Sequence, residues 1–315
     1  MARKLRFIPE EGTLVEVTCR TIQSRMLLRP SPELNEILLG VLGRAQRLYG
    51  VGICGYSFLS THYHLVLRVR DAEQLASFAG YFNSNVAREV ARLTGWTDKI
   101  WSRRFDAILI SNEEGAQVER LTYVLSNGVK EGLVARLEDW PGVHCVSALL
   151  TGQSPEGTWF NRTREYSARQ RGEEIRPRSF AETEVVTLEQ LPCWAHLSPE
   201  SYRERIAGLV QTIEEDAAAE RAQIGIEPLS PEAICRQDPK SQPRNTKKSP
   251  APAFHAFTRR ARKELWEMYG KFVAAFREAA EKLRSGDRNA RFPSGSFPPH
   301  LPFVRDLPLA LSPAG

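Results

Sequence analysis

The sequence has little cysteine and histidine and no long hydrophobic run. Its 315 residues include five cysteines and six histidines. The cysteines are odd in number and scattered, without a C-x-x-C pair, which argues against a disulfide framework or a zinc ribbon. No run approaches the ~18 apolar residues that a membrane helix needs, and the first residues turn acidic before a signal-peptide core could form. We therefore expect a cytoplasmic protein without a membrane partner.

Charge is unevenly distributed along the chain. Residues 1–150 hold 18 basic against 16 acidic side chains, residues 151–235 hold 9 against 15, and residues 236–291 hold 15 against 6. A basic block of this size attracts polyanions, and nucleic acid is the first candidate. A solvated basic helix without a partner explains the same charge equally well.

Strand and helix signals alternate over the first 150 residues. A β-branched run after Thr13 predicts a strand, and Ser31 followed by Pro32 predicts a capped helix start. The expected elements are strands and helices in the order strand, helix, strand, strand, helix, strand, helix, at Leu14–Thr21, Pro32–Tyr49, Val51–Leu59, Tyr63–Val69, Asp71–Leu93, Phe105–Ile110 and Asn112–Asn127. This order predicts the α+β class, with a ferredoxin-like split βαβ antiparallel sheet and one added helix.

The rest of the chain has a different character. Residues 151–190 are polar and rich in Arg and Glu without clear periodicity, which predicts a polar linker. Residues 191–315 contain two helical patterns, Pro199–Ile224 and Phe257–Leu283, joined by a Pro- and Lys-rich loop. We expect a catalytic domain in residues 1–150 and a helical, basic C-terminal extension in residues 191–315.

Two histidines mark the predicted strand Tyr63–Val69. His62 and His64 are two residues apart, and side chains alternate along a strand with period two, so both imidazoles can reach one metal ion. An isolated H-x-H pattern is more often chance or ordinary hydrogen bonding. The pair alone predicts only a weak metal site.

The added helix strengthens the case for a site. Tyr123 and Asn127 are four residues apart and therefore share a helix face. An amide oxygen beside two imidazoles could complete a three-ligand metal shell, and the tyrosine beside it could act as a nucleophile. On these grounds we interpret this element as a catalytic helix. The alternative for Tyr123 is an ordinary half-buried aromatic residue.

These residues resemble the single-tyrosine HUH transposases of bacterial insertion sequences, and most of all the REP-associated tyrosine transposases. The resemblance spans residues 1–150. It rests on Thr61-His62-Tyr63-His64-Leu65-Val66, Trp101-Ser102-Arg103-Arg104-Phe105, Tyr123-Val124-Leu125-Ser126-Asn127-Gly128-Val129-Lys130-Glu131-Gly132-Leu133-Val134 and Asp139-Trp140-Pro141. The family usually has proline where Gly128 stands.

The resemblance implies a ferredoxin-like fold, His62 and His64 as metal ligands, Asn127 as the third polar ligand and Tyr123 as the nucleophile. It implies Mg²⁺ or Mn²⁺ as the cofactor and single-stranded or hairpin DNA as the partner, in a bacterial, nucleoid-associated protein. A homodimer is a further candidate assembly. The implied reaction is cleavage and rejoining of single-stranded DNA through a 5′-phosphotyrosine, as in transposition.

Several other residues are candidates for DNA binding. The candidates for phosphate contacts near the site are Arg68, Arg103 and Arg104, and those for stacking on unpaired bases are Trp101 and Tyr63. On the basic face of the second C-terminal helix, the candidates for binding a hairpin are Arg259, Arg260 and Lys263. The alternatives are a core position for Trp101 and solvated positions for the arginines.

Three other functions compete with this one. The chain could be a catalytically silent DNA- or hairpin-binding regulator derived from a transposase. It could be an RNA-binding ferredoxin-like domain, but that would display aromatics on the central strands where this chain has histidines. A histidine phosphoesterase would need two H-x-[ST] strands, and the sequence offers one histidine pair. We rank the regulator second and set the other two aside.

Overall fold

A five-stranded sheet forms the centre of the computed structural model, which describes residues 5–176, 178–225, 227–243 and 251–299. The helices and strands in chain order are β1 (Thr13–Arg20), α1 (Pro32–Tyr49), β2 (Gly52–Leu59), β3 (His62–Val69), α2 (Ala72–Thr94), β4 (Asp106–Ile110), α3 (Glu114–Lys130), α4 (Val146–Thr151), β5 (Glu156–Phe160), α5 (Arg162–Gln170), β6 (Ala181–Val185), α6 (Pro199–Ile224), α7 (Pro231–Cys235), β7 (Phe254–His255) and α8 (Arg259–Arg284). The predicted α+β class is therefore confirmed.

The sheet has the strand order β2-β3-β1-β4-β7. The first four strands pair antiparallel, and β7 adds two residues in parallel beside β4. Local signals explain why the first helix starts and stops where the sequence predicted. Ser31 accepts a hydrogen bond from the backbone N–H of Leu34, and Gly50 ends α1 in the left-handed conformation with φ 63°.

Period-two alternation along β3 gives the sheet two different faces. Tyr63 points to α2, where its ring centroid lies 5.3 Å from that of Phe82. His64 points the other way, to α3, where its ring centroid lies 5.5 Å from that of Tyr123. Helix α2 packs on the Tyr63 face of β3, and helix α3 packs on the histidine face.

The described residues between 151 and 190 include two strands and a helix, whereas the sequence predicted a polar linker. Strands β5 and β6 pair as a hairpin that packs on α1. A Cβ atom at Gly40 would lie 2.1 Å from the backbone of Thr158, so only glycine allows this close approach. The charged interface is completed by Arg44, which pairs with Glu184 at 2.8 Å. Apolar periodicity missed this hairpin because glycines and ion pairs make its contact with the helix.

The C-terminal extension does not form a helical module of its own within the described residues. Helix α6 packs against α3 and α4, and β7 joins the central sheet. Helix α8 lies on the surface, where Tyr269 contacts the ring of Phe7. Met268 on this helix is 44% exposed. Parts of the predicted extension and its Lys-rich loop, residues 244–250 and 300–315, lie outside the described residues.

No helix in the described part of the chain is both long and apolar enough to cross a membrane.

Candidate functional site: two histidines and a tyrosine under helix α3

Three of the predicted site residues come together between β3 and α3. The ring centroids of His62 and His64 lie 4.9 Å apart, and that of Tyr123 lies 5.5 Å from that of His64. The strand supplies the histidines from one face, and the helix supplies the tyrosine from above. A nucleophile and two potential metal ligands are thus adjacent, although the tyrosine follows the nearer histidine by 59 positions in the sequence.

His64 is held in the orientation that a metal ligand needs. Its Nδ1 lies 2.6 Å from Oε1 of Glu16, and its Nε2 is buried without a hydrogen-bond partner. The tautomer that satisfies this contact carries the proton on Nδ1 and leaves a lone pair on Nε2. Metal-ligating histidines usually donate their other N–H group to a carboxylate or carbonyl in this way.

Glu16 is the centre of a buried polar network that the sequence reasoning missed. The residue lies on β1 with no exposed surface, and it also accepts a hydrogen bond from Nε of Arg120 on α3. Burial raises the pKa of Glu16, but the hydrogen bond and electrostatic interaction with His64 and the charge of Arg120 outweigh that effect. The net result is a lowered pKa. A lone acid inside the β-branched run of β1 was the available signal.

His62 is a neutral imidazole in this environment. Burial lowers its pKa well below the ordinary value, and the electrostatic interactions with His64 and Arg20 act in the same direction. Its Nδ1 lies 2.9 Å from Oγ1 of Thr61. In the tautomer whose Nδ1–H group donates to Thr61, Nε2 keeps the lone pair that a metal ligand requires.

Tyr123 is half-buried beneath two cations. The guanidinium carbon of Arg120 lies 4.4 Å from its ring centroid, and Nζ of Lys130 lies 5.9 Å away. Burial raises the pKa of Tyr123, and the charge of Glu16 raises it further, while Arg120 and Arg20 act in the opposite direction. The phenol is therefore protonated at neutral pH, so an attack by its oxygen requires a proton acceptor.

Asn127 lies one turn beyond Tyr123 on α3. It is 4% exposed, and its Nδ2 atom has no hydrogen-bond partner. The helix does not end at Asn127, as the sequence predicted, but continues through Gly128 to Lys130. A Cβ atom at Gly128 would lie 3.4 Å from Val134, an ordinary van der Waals contact. The space around this position therefore does not require glycine. The amide stays a predicted third ligand.

The residues present fit a cation bound partly by amide oxygen. In the described part of the chain, no three His, Cys, Asp or Glu side chains lie close enough to hold a metal ion. A site built on His62 and His64 would therefore need oxygen from Asn127 and from a substrate phosphate. The unpartnered Nε2 of His64 is a buried acceptor that such a cation would satisfy, whereas the unpartnered atom of Asn127 is its Nδ2 donor, which a cation does not satisfy.

The residues before β4 divide into rim and core. Arg103 pairs with Asp106 at the start of β4 and is exposed, and the guanidinium of Arg104 lies 5.5 Å from the ring centroid of Phe105. Trp101 instead packs inward, where its Nε1 donates a hydrogen bond to the carbonyl of Asn83 at 2.9 Å. The alternative interpretation of Trp101 as a core residue is thus favoured.

The two DNA-contact candidates on β3 lie away from the proposed site, Tyr63 on the opposite face and Arg68 at the other end of the strand. Tyr63 has no exposed surface and donates its hydroxyl to Asn83, so it cannot stack on a base. Arg68 lies six residues from His62 along the strand, about 20 Å away, and pairs with Glu189 at 2.8 Å. Proximity in the sequence misled here because an extended strand separates its ends widely.

The predicted cations of α8 are exposed and mostly paired within their own helix. Arg260 pairs with Glu264 at 2.9 Å, and Lys263 pairs with Glu267 at 3.7 Å. Arg259 begins the helix and is exposed. The helix follows β7, which pairs with β4 at its Leu109 and Ile110 end, away from the Asp106 end beside the site. These residues therefore belong to a surface separate from the His64 site.

Comparisons with known proteins find similar solved structures, two of which are transposases. A scan of protein-family models finds no match to this chain, and neither does a search of curated proteins. A REP-associated tyrosine transposase bound to a REP hairpin is similar over 49% of this chain and 89% of its own, with 19% identity and a TM-score of 0.38. A candidate transposase from Deinococcus radiodurans R1 is similar over 38% of this chain and 94% of its own, with 13% identity and a TM-score of 0.28.

Proposed function

We propose that this chain is a metal-dependent nickase and strand transferase for single-stranded DNA, with Tyr123 as its nucleophile. One observation carries the proposal: the ring of Tyr123 lies 5.5 Å from that of His64, whose buried Nε2 has no partner. The ferredoxin-like arrangement that we propose for β1 to β4 places β3 directly under α3. A reactive hydroxyl and an available imidazole nitrogen are the minimum that this chemistry needs.

The proposed reaction is a transesterification at phosphorus. The phenolic oxygen of Tyr123 forms a bond to phosphorus, the bond from phosphorus to the 3′ oxygen breaks, and the leaving 3′ oxygen takes up a proton. A Mg²⁺ or Mn²⁺ ion held by His62, His64 and Asn127 would neutralise the phosphate charge and orient the phosphate. The product is a 5′-phosphotyrosine, which stores the bond energy, so that a second 3′-hydroxyl can reverse the step without ATP.

The residues around Tyr123 set how it would work. Arg120 lies over its ring and is itself fixed by Glu16, so the tyrosine is held between the helix and the sheet. Its hydroxyl has no hydrogen-bond partner among the described residues, which leaves the oxygen available to a phosphate. The proton has to leave to water or to the substrate, because no carboxylate or imidazole accepts it within the described structure.

A second candidate function is a catalytically silent regulator that binds DNA or a hairpin. The raised pKa of Tyr123 favours it, because a protonated phenol without a neighbouring base is a poor nucleophile. The two functions share the same partner, single-stranded or hairpin DNA, and differ in whether a covalent bond forms. That difference is what the test measures.

Labelled single-stranded and hairpin oligonucleotides, incubated with the protein and Mg²⁺ or Mn²⁺, test the proposal. We expect a covalent protein–DNA adduct on a denaturing gel that disappears with Tyr123→Phe and with a chelator. Tyr166→Phe is the matched control, because Tyr166 is 63% exposed and lies on α5. Binding without any adduct from the wild-type protein would favour the regulator, and an adduct that survives Tyr123→Phe would assign the nucleophile to another tyrosine.

A further inference from the structure

Arg20 lies beside the proposed site although nothing in the sequence marked it. It ends β1 directly opposite His62 in the antiparallel β1–β3 pair, so the two side chains share a face of the sheet. Nη1 of Arg20 lies 3.4 Å from Oγ1 of Thr61, and the same oxygen lies 2.9 Å from Nδ1 of His62. The guanidinium is therefore placed next to the imidazole that would bind the metal.

The charge of Arg20 is not neutralised by the protein. Within the described residues no carboxylate lies at ion-pair distance from it, whereas Arg103 pairs with Asp106 and Arg120 pairs with Glu16. Among Arg20, Arg103 and Arg120, Arg20 is the one without an ion pair to a carboxylate within the described residues. An arginine whose guanidinium contacts a neutral hydroxyl can bind an anion without first breaking an ion pair.

The surroundings of Arg20 connect it to the nucleophile. Partial burial lowers its pKa, Tyr123 on α3 and Glu131 directly after α3 raise it, and Arg103 lowers it. The guanidinium therefore lies within the electrostatic reach of the phenol, even though the residue remains exposed to solvent. An anion that reached both Tyr123 and His62 would also meet Arg20.

We propose that Arg20 binds a non-bridging oxygen of the scissile phosphate and stabilises the charge that this phosphate carries in the transition state. The proposal rests on the function proposed above. The planar guanidinium offers two parallel N–H groups, which match the oxygens of a phosphate. Arg20 forms and breaks no covalent bond; it holds the phosphate while Tyr123 attacks and the 3′ oxygen leaves.

Two substitutions and one control test the role of Arg20. With Arg20→Ala we expect the rate of adduct formation at saturating oligonucleotide and Mn²⁺ to fall about 100-fold, while the Kd for the same oligonucleotide rises less than about tenfold. Arg20→Lys should restore part of the rate, because it keeps the charge and loses the fork. Arg68→Ala is the matched control, since Arg68 is equally exposed on a neighbouring strand but paired with Glu189.

The outcomes separate this inference from the proposed function. If the wild-type protein forms an adduct and Arg20→Ala changes its rate less than twofold, the role of Arg20 is overturned and the nickase function stands. A loss of DNA affinity with an unchanged saturated rate also overturns it, because that is ordinary phosphate binding. A wild-type protein without an adduct overturns both. Thermal unfolding shows whether each variant is folded.

Discussion

The site under α3 and the basic helix α8 use similar residues in opposite ways. At the site, the charge of Arg120 is held by Glu16, which has no exposed surface, and the arginine lies over Tyr123. On α8, Arg260 pairs with Glu264 on the exposed surface of its own helix. A count of cations in the sequence favours α8 as the DNA-binding surface. The ion pairs in the structure instead distinguish the fixed, partly buried Arg120 from the exposed cations of α8.

The difference follows from what each ion pair costs to break. An exposed pair four residues apart on a helix contributes about 0.3–0.5 kcal/mol and is screened by salt. Breaking a buried pair leaves an uncompensated charge and costs about 3–5 kcal/mol. The network around Glu16 is therefore rigid, whereas the cations of α8 can exchange their glutamate partners for phosphate.

Removing the charge of Glu16 should have the largest effect on stability and on the rate of adduct formation. Glu16→Gln leaves Arg120 without its counterion and weakens the contact that orients His64. We expect the free energy of unfolding to fall by about 3 kcal/mol and the adduct rate to fall by about 10- to 100-fold. Urea unfolding and the oligonucleotide assay measure the two effects.

Glu264→Gln on α8 is the matched control for this change. Its partner Arg260 is 89% exposed, so we expect less than about 0.5 kcal/mol of lost stability and an unchanged adduct rate. Equal effects of the two glutamate substitutions would break the comparison between the two regions.

Low pH should destabilise the region under α3 and spare α8. Burial lowers the pKa of His144 to about 4, although its hydrogen bond to the carbonyl of Leu125 on α3 acts in the opposite direction. Because the folded pKa lies below the ordinary 6.5, the unfolded chain binds the proton first as the pH falls. Stability is fully present above pH 6.5 and is lost as the pH falls toward 4.

Urea midpoints at pH 7.5 and pH 5 check this dependence. We expect His144→Asn to reduce the difference between the two midpoints, and His196→Asn, at an exposed position, to leave it unchanged. A midpoint difference that is the same in both variants would show that His144 does not carry the pH dependence.

Substitutions on α8 should have the smallest effect, and that effect should be on DNA binding. Replacing Arg259, Arg260 and Lys263 together by alanine should flatten the salt dependence of hairpin binding, because phosphate contacts release counterions. The change in slope should be smaller than the about 2.7 that three independent contacts would give, since two of these cations are already paired. Hairpin affinities measured at salt concentrations between about 50 and 200 mM give this slope. Unchanged affinity and slope would exclude α8 as a DNA-binding surface.

The order of elements up to α3 was predictable because each has a strong local signal. The first helix was predicted at Pro32–Tyr49 and found there, since its cap and its final glycine are both local features. His62, His64 and Tyr123 could be named because alternation along a strand and a shared helix face are properties of the sequence. Their mutual distances confirm that they lie together.

The missed features are those made by contacts between distant segments. Glu16 and Arg120 are 104 residues apart and meet only when α3 closes over β1. Arg20 became visible only through the register of β1 against β3, which sets it opposite His62. Strand β7 pairs over two residues, too few for any periodic pattern, and its partner β4 lies more than 140 residues earlier.

The site of covalent attachment is the most direct test of the account. Trypsin cleaves after Arg120 and Lys130, so Tyr123 is the one tyrosine of the peptide Leu121–Lys130. After adduct formation and nuclease trimming, mass spectrometry should find the added 5′-linked nucleotide on this peptide. A nucleotide on any other tyrosine-containing peptide, or its complete absence while the wild-type protein binds DNA tightly, would contradict the account.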